Sequence, residues 1–132
     1  MSNPKRNDPF AELYREFPDR LHGDRWQPDV DVFETESDVV VRVELAGVAS
    51  RDVRVSVDND VLRISGMRAA QDASSVVRLH QMEIASGPFE RRVRIPVAYQ
   101  RDRVSAHLAD GVLTVHLAKR QPVRRKVEIQ GG

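Results

Sequence analysis

The sequence predicts an all-β fold, either a sandwich or a barrel, for most of this 132-residue chain. Short runs dominated by valine alternate apolar and polar residues, and the branched valine side chain suits a pleated surface. Turn-forming residues separate these runs at the cadence typical of sandwiches and barrels. Aromatic residues make up only 5% of the chain, so the core must be aliphatic.

Residues 1–27 differ in composition from the rest and predict an amphipathic helical arm. Asp8 followed by Pro9 is typical of a helix start, and Pro18 should end or kink the helix. Apolar side chains recur every three or four residues and form one stripe, Phe10, Leu13, Tyr14, Phe17 and Leu21. Two interpretations stay open, because the stripe either packs on its own domain or serves as an exposed binding surface.

From Pro28 the apolar period changes to two, which predicts strands. Charges interleave with the apolar residues of the first run, which is typical of an edge strand. Gly47 should end the second run, residues 39–45, and Asn59-Asp60 should form the tight turn between the third and fourth runs, residues 53–57 and 61–66. The four runs are residues 29–33, 39–45, 53–57 and 61–66.

Residues 67–86 break this cadence and predict a loop, although residues 76–80 fit one more strand. The sheet resumes at residues 89–96. The strongest local signal is a hairpin centred on Asp110-Gly111, because a tight primed turn needs positive φ and these residues tolerate it. Its apolar face, which we expect to meet the core, consists of Ala106, Leu108, Leu113, Val115 and Leu117.

Composition excludes several classes of function. The chain has no cysteine, which excludes disulfides, thiolate catalysis and cysteine zinc sites. A net charge of +1 argues against a nucleic-acid partner, and we interpret Arg124-Arg125-Lys126 as a solvated tail segment. No apolar run approaches the ~20 residues that cross a membrane, and no signal peptide is recognised. We therefore expect a cytoplasmic protein with neither membrane nor nucleic acid as partner.

The sequence also predicts that this protein is not an enzyme and has no catalytic residues, metal or cofactor. It contains neither a P-loop nor a G-x-S-x-G motif. Pairing across the hairpin turn would place His107 opposite Thr114 and His116 diagonally beside it on the same face. Two histidines without a third ligand make poor zinc geometry, so solvent-facing histidines are preferred to a metal pair.

Six short motifs follow one another in an order and spacing that resemble the α-crystallin domain of the small heat-shock proteins. They are W-x-P-x-V-D-V-x-E (26–34), E-L-A-G-V (44–48), L-x-I-x-G (62–66), G-x-F-x-R (87–91), A-x-L-x-D-G-V-L (106–113) and V-E-I (127–129). The resemblance implies an immunoglobulin-like antiparallel β-sandwich at residues 28–119. The arm, residues 1–27, would precede it, and a C-terminal extension, residues 120–132, would follow.

The same resemblance implies an ATP-independent chaperone that binds unfolding client proteins as a dimer-based homo-oligomer. The apolar stripe of the arm would then be the client-binding surface. The alternative is a co-chaperone-like β-sandwich adaptor that binds one folded partner. Adaptors of that kind lack both the V-E-I motif and the long loop.

The loop between Gly66 and Gly87 resembles the bacterial and plant form of the family, in which a strand of this loop crosses to the neighbouring subunit. Arg91 matches the arginine that the family uses at its dimer interface, and Arg92 and Arg94 are competitors for that role. The crossing strand would consist of Val76, Val77, Arg78, Leu79 and His80.

Val127 and Ile129 are two residues apart, so both project to the same side of an extended segment. The resemblance implies that they dock in a groove of another dimer. The alternative interpretation is a frayed tail with incidental aliphatic residues. The groove would lie between the strand that holds Val53 and Val55 and the strand that holds Ala106 and Leu108.

Overall fold

Seven strands make up the ordered framework of the part of the chain that the structure describes. The structure is a computed structural model, and it describes residues 26–70, 72–121 and 125–132. The helix expected in the arm lies outside these residues. A short 3-10 helix, Ser50–Asp52, precedes the third strand. The strands are β1 (Val30–Glu34), β2 (Asp38–Glu44), β3 (Val53–Asp58), β4 (Val61–Arg68), β5 (Gly87–Arg94), β6 (Tyr99–Ala109) and β7 (Val112–Lys119).

The strands form two antiparallel sheets, with the orders β1-β2-β7-β6 and β3-β4-β5. The fold is therefore the sandwich that the family resemblance implied, and the barrel that the residue pattern left open is wrong. The strand expected at residues 29–33 is confirmed as an edge strand, because among the described strands β1 pairs only with β2.

The core lies between the inward faces of the two sheets and is almost entirely aliphatic. Alternation along each strand supplies it, because successive side chains of a strand point to opposite faces. Burying these side chains is the main stabilising term of the fold. The largest fully buried side chains are Phe89, Leu45, Leu62, Ile64, Leu117, Val39, Val41, Val43 and Val115.

Both predicted tight turns are confirmed by backbone geometry. Asp110 and Gly111 have φ values of 52° and 77°, and Asn59 has a φ of 54°. The β6–β7 register pairs Ala109 with Val112, as a two-residue turn requires. An added Cβ at Gly111 would approach the Cα of Ala46 to 3.1 Å, so packing as well as φ favours glycine there.

Residues 76–80 form no strand within their own chain, and an intrachain strand there is wrong. A strand needs a neighbouring edge for its backbone groups, and none of the described strands pairs with these residues. Pairing of this segment with another subunit stays a prediction. No helix among the described residues combines the length and apolar character needed to span a bilayer.

Candidate functional site: edge strands and exposed extensions

The V-E-I motif lies in a stretch without regular secondary structure, and its two apolar side chains face solvent. Val127 is 78% exposed and Ile129 is 97% exposed. Neither side chain therefore contributes to the core of its own subunit. Two exposed apolar side chains on an extended segment are suited to insert into a groove elsewhere.

The predicted groove residues lie on two edge strands. β3 is one edge of the three-stranded sheet and β6 is one edge of the four-stranded sheet. Val53, Val55 and Leu108 are half-buried and pack against the core, whereas Ala106 is exposed. The expected apolar face of the hairpin is thus buried on β7 but only partly covered on β6, because β6 has no neighbour beyond it.

Hydrogen bonds hold the start of β6 beside the turn that ends β3. The hydroxyl of Tyr99 donates to the main-chain carbonyl of Asn59 at 2.6 Å, and Arg101 donates to the side-chain oxygen of Asn59 at 3.2 Å. The amide of Leu45 donates to the carbonyl of Gly111 at 2.7 Å, which ties the other end of the β6–β7 hairpin to the chain leading toward β3. These hydrogen bonds lie at the two ends of a partly open apolar strip between the edges of β3 and β6. The predicted members of this strip are Val53, Val55, Ala106 and Leu108.

Two members of this strip were missed by sequence analysis. Val57 and Val104 are also half-buried and pack against the same core. Both continue the alternation of the predicted groove residues, Val57 after Val55 and Val104 before Ala106. The period-two pattern was therefore the available signal, and simple extension of it identifies both.

A second open edge belongs to β1, at the far side of the four-stranded sheet. Two consecutive apolar residues of this strand, Val32 and Phe33, are 41% and 44% exposed. The loop segment 76–80 also lacks a strand partner within the described chain, and Val77 is 96% exposed. An open strand edge and a loop segment without a strand partner are surfaces on one subunit that suit β-sheet pairing between two subunits.

The loop joining β4 and β5 borders a cavity of about 780 Å³. Of the predicted crossing residues, Val76 and Leu79 line this cavity, together with Met82 and Ile84. In the same loop, the main-chain and side-chain groups of Ser74 donate hydrogen bonds that lower the pKa of Asp72. Because Val76, Leu79, Met82 and Ile84 border the cavity, the apolar side of the loop is only loosely packed against its own domain.

The three candidate interface arginines have different surroundings. Arg91 is half-buried and donates from Nη1 to the carbonyl of Pro28 at 2.8 Å. The exposed Arg92 pairs with Glu90 at 3.4 Å, and the exposed Arg94 pairs with Asp60 at 3.2 Å. Arg91 therefore differs from the other two in holding the main chain of Pro28 along the outer edge of β5.

The chain enters the sandwich along this β5 edge, where Trp26 forms a parallel bridge with Phe89. The two rings lie 5.3 Å apart between centroids and are tilted by 57°. The indole N–H of Trp26 donates to the carbonyl of Gly87 at 3.0 Å. Residues 26–28, where the predicted arm ends and the sandwich begins, thus cover part of the β5 edge.

The histidine arrangement agrees with the predicted register. His107 pairs with Thr114, and His116 pairs with Ser105 on one side and Val40 on the other. Both histidines are exposed. Among residues 26–70, 72–121 and 125–132, no group of three or more potential side-chain ligands is placed to hold a metal ion.

The predicted client-binding stripe lies entirely outside the described residues. Its members are Phe10, Leu13, Tyr14, Phe17 and Leu21. Their role in client binding stays a prediction from the sequence.

Comparison with known proteins supports the family resemblance of the six sequence motifs. Residues 31–130 match the sequence model described as the Hsp20/alpha crystallin family. The chain is 37% identical over 131 residues to a 17.8 kDa class I heat shock protein of Solanum lycopersicum, covering 94% of this chain and 84% of that protein.

Solved structures of similar sequence share the sandwich. Heat shock protein 16.0 from Schizosaccharomyces pombe is 33% identical with a TM-score of 0.68, over 80% of this chain and all (100%) of that one. A small heat-shock protein from Xylella fastidiosa is 29% identical with a TM-score of 0.70, over 83% of this chain and 99% of that one.

Proposed function

Because the chain belongs to the Hsp20/alpha-crystallin family, we propose that it is an ATP-independent holdase that keeps unfolding proteins from aggregating. Its partners would be non-native cytoplasmic clients and other copies of itself. The family supports the chaperone role. The assembly part rests on two observations on one chain, namely that the V-E-I side chains are exposed and that β3 and β6 carry apolar side chains that are only half-buried. The mechanism needs no nucleotide, because it is a competition between apolar surfaces.

In this proposal, the apolar stripe of the arm covers the surface that a client exposes on unfolding. Burial of apolar surface contributes roughly 25 cal/mol per Å² and is non-directional, so clients of different sequence can be bound. Occupied client surface is no longer available to a second client. Aggregation slows for that reason, without refolding of the client.

We expect the full chain, at stoichiometric amounts and without ATP, to suppress the light scattering of a heat-denatured model protein. Replacing Phe10, Phe17 and Leu21 with serine should remove most of this protection, because the stripe loses its largest apolar surfaces. The matched control replaces Glu12, Arg15 and Glu16, which lie mostly off the stripe, with serine and should retain protection. Equal protection by the two variants would move client binding elsewhere, and no protection by the wild type would reject the holdase.

The dimer in this proposal forms when residues 76–80 pair with the open edge of β1 in a neighbouring subunit. Reciprocal pairing would satisfy backbone groups on both surfaces, and it would cover Val77, Val32 and Phe33. The bond pattern is ordinary β-augmentation, in which main-chain hydrogen bonds give affinity and alternate side chains give specificity. Arg91 would stabilise this arrangement by holding Pro28 just before β1.

Val77→Asp tests this dimer without disturbing the core. Val77 is 96% exposed in the single chain, so the domain should keep its circular dichroism spectrum and melting behaviour. The dimer dissociation constant should rise about tenfold or more, because the interface loses a buried valine and gains a charge. Ser75→Asp adds the same charge just outside the segment as a control. Unchanged native mass for Val77→Asp at micromolar concentration would contradict the pairing.

Dimers would be joined into larger assemblies by the tail. Val127 and Ile129 would fill the strip formed by β3 and β6 of another dimer, while Glu128 faces water. Each contact is weak, and repetition around an assembly makes it effective. Such an oligomer exchanges subunits and exposes arms and grooves when heat loosens it. A monomeric wild type in light scattering would instead favour the adaptor alternative.

A further inference from the structure

One arginine holds the neck of the loop between β4 and β5, which is the point where β4 ends at Arg68 and β5 begins at Gly87. Arg68 is the last residue of β4 and pairs in register with Gly87, the first residue of β5. Its Nε and Nη2 atoms donate to the carbonyl of Ala85 at 2.8 and 2.6 Å. Its Nη1 donates to the carbonyl of Ala46 at 3.2 Å. Arg68 therefore links the returning end of the loop to the segment that follows β2.

The same guanidinium lies over the ring of Trp26, with its Cζ 4.1 Å from the ring centroid. Trp26 in turn donates its indole N–H to the carbonyl of Gly87, two residues after Ala85 at the start of β5. The stack requires residues 26–28 to lie along β5, where Trp26 bridges to Phe89 and the carbonyl of Pro28 accepts from Arg91. The side chain of Arg68 therefore contacts both the end of the arm, at Trp26, and the returning end of the loop, at Ala85.

Arginine is suited to this place for a geometric reason. Its planar guanidinium directs several N–H donors in a fixed fork while its face stacks on an aromatic ring. Lysine keeps the charge but cannot bind one carbonyl with two donors and present a flat face at the same time. Replacement of Arg68 by lysine should therefore have a measurable effect, whereas the same replacement at an ordinary exposed arginine should not.

We propose that Arg68 is a positioning residue that couples the N-terminal arm to the dimerisation loop. An arm position that draws residues 26–28 off β5 removes the stack, loosens the neck and frees the loop to leave a neighbouring subunit. An arm position that keeps residues 26–28 on β5 holds the loop in place. This coupling rests on the proposed dimer, and it assigns to the arm control over how fast subunits exchange.

The first test compares Arg68→Lys with Arg63→Lys, a matched change on the same strand. Arg63 is exposed and pairs with Glu90 on the opposite face at 2.8 Å. Subunit exchange is followed by native mass spectrometry after mixing isotopically light and heavy protein. Arg68→Lys should exchange about tenfold faster than wild type, the effect of one lost charged hydrogen bond. Arg63→Lys should exchange at the wild-type rate.

The chain contains a single tryptophan, so its fluorescence reports on this stack without any label. Acrylamide quenching of Trp26 should increase in Arg68→Lys, because the guanidinium no longer covers the ring, and should not change in Arg63→Lys. Equal exchange rates and equal quenching in the two variants would overturn the proposal, whereas a wild type without dimers would instead reject the proposed function.

Coupling itself is measured by a double-mutant cycle. Leu21→Ser in the arm should change the exchange rate of the wild type and should have little effect in the Arg68→Lys background. Trp26→Leu, which leaves Arg68 intact, should abolish the Leu21→Ser effect in the same way. The same factor for Leu21→Ser in all three backgrounds would overturn the coupling even if Arg68→Lys alone is faster.

Discussion

Gly66→Ala is expected to destabilise the sandwich by about 3 kcal/mol, the upper end of the usual cost of overpacking. Gly66 lies on the inner face of β4, in register with Val53 on one side and Phe89 on the other. An added Cβ would lie 2.7 Å from the Cζ of Phe89 and far inside contact distance of the main-chain oxygen of Asp52. The second clash involves backbone, so no change of rotamer relieves it.

Thermal melting followed by circular dichroism measures this loss. For a domain of this size, a loss of about 3 kcal/mol corresponds to a fall in Tm of about 10 °C or more. Ser65→Ala, one residue earlier and on the opposite face, is the matched control and should melt within a few degrees of wild type. A Gly66→Ala variant with unchanged Tm would mean that Phe89 and the chain at Asp52 move aside without cost.

The double substitution Val127→Ala and Ile129→Ala is expected to reduce the native assembly toward dimers. Full burial of each side chain contributes roughly 1.5–3 kcal/mol, and ordering the tail costs roughly 1–2 kcal/mol for each fixed residue. One docked tail is therefore close to neutral, and loss of its two apolar side chains leaves nothing to offset the ordering. Because the same tail contact is lost between every pair of dimers, the multivalent assembly should dissociate cooperatively.

Size-exclusion chromatography with light scattering measures the mass, and Glu128→Ala between the two positions is the control. Both apolar side chains are exposed in the single chain, so the domain itself should melt as in the wild type. An unchanged mass for the double variant would reject docking of the tail and favour the interpretation of it as a frayed end. A reduced mass for Glu128→Ala as well would indicate that the segment is recognised by charge.

Local signals were sufficient for most of the sandwich. The turns at Asn59 and Asp110-Gly111 were predicted because few residues accept positive φ, and this constraint acts within four residues. Alternation predicted which side of each strand meets the core, since the period of two is a property of the strand itself. The order and spacing of six motifs indicated the family, because such motifs are read from the sequence without the fold.

Interactions between distant parts of the chain decided the rest. Residues 76–80 alternate well enough to suggest a strand, but a strand exists only where an edge is available to pair with it. Ala106 belongs to the same apolar face as Val115, yet it is exposed because β6 lies at the edge of its sheet. Arg68 is one of many arginines in the sequence, and only the folded chain brings it to Trp26 and Ala85.

The sequence by itself therefore determined the strands of the sandwich other than the one expected at residues 76–80, together with the tight turns, the aliphatic core and the family, because these depend on period, on φ and on short motifs. The tertiary structure alone decided which strands are left with open edges and which cation holds the neck of the loop. Those features depend on residues brought together from 17 to 61 positions apart, such as Arg68 with Ala85 and Trp26 with Gly87. No local pattern encodes such contacts, since they are set by the pairing of β4 with β5 and by the position of Trp26 along β5.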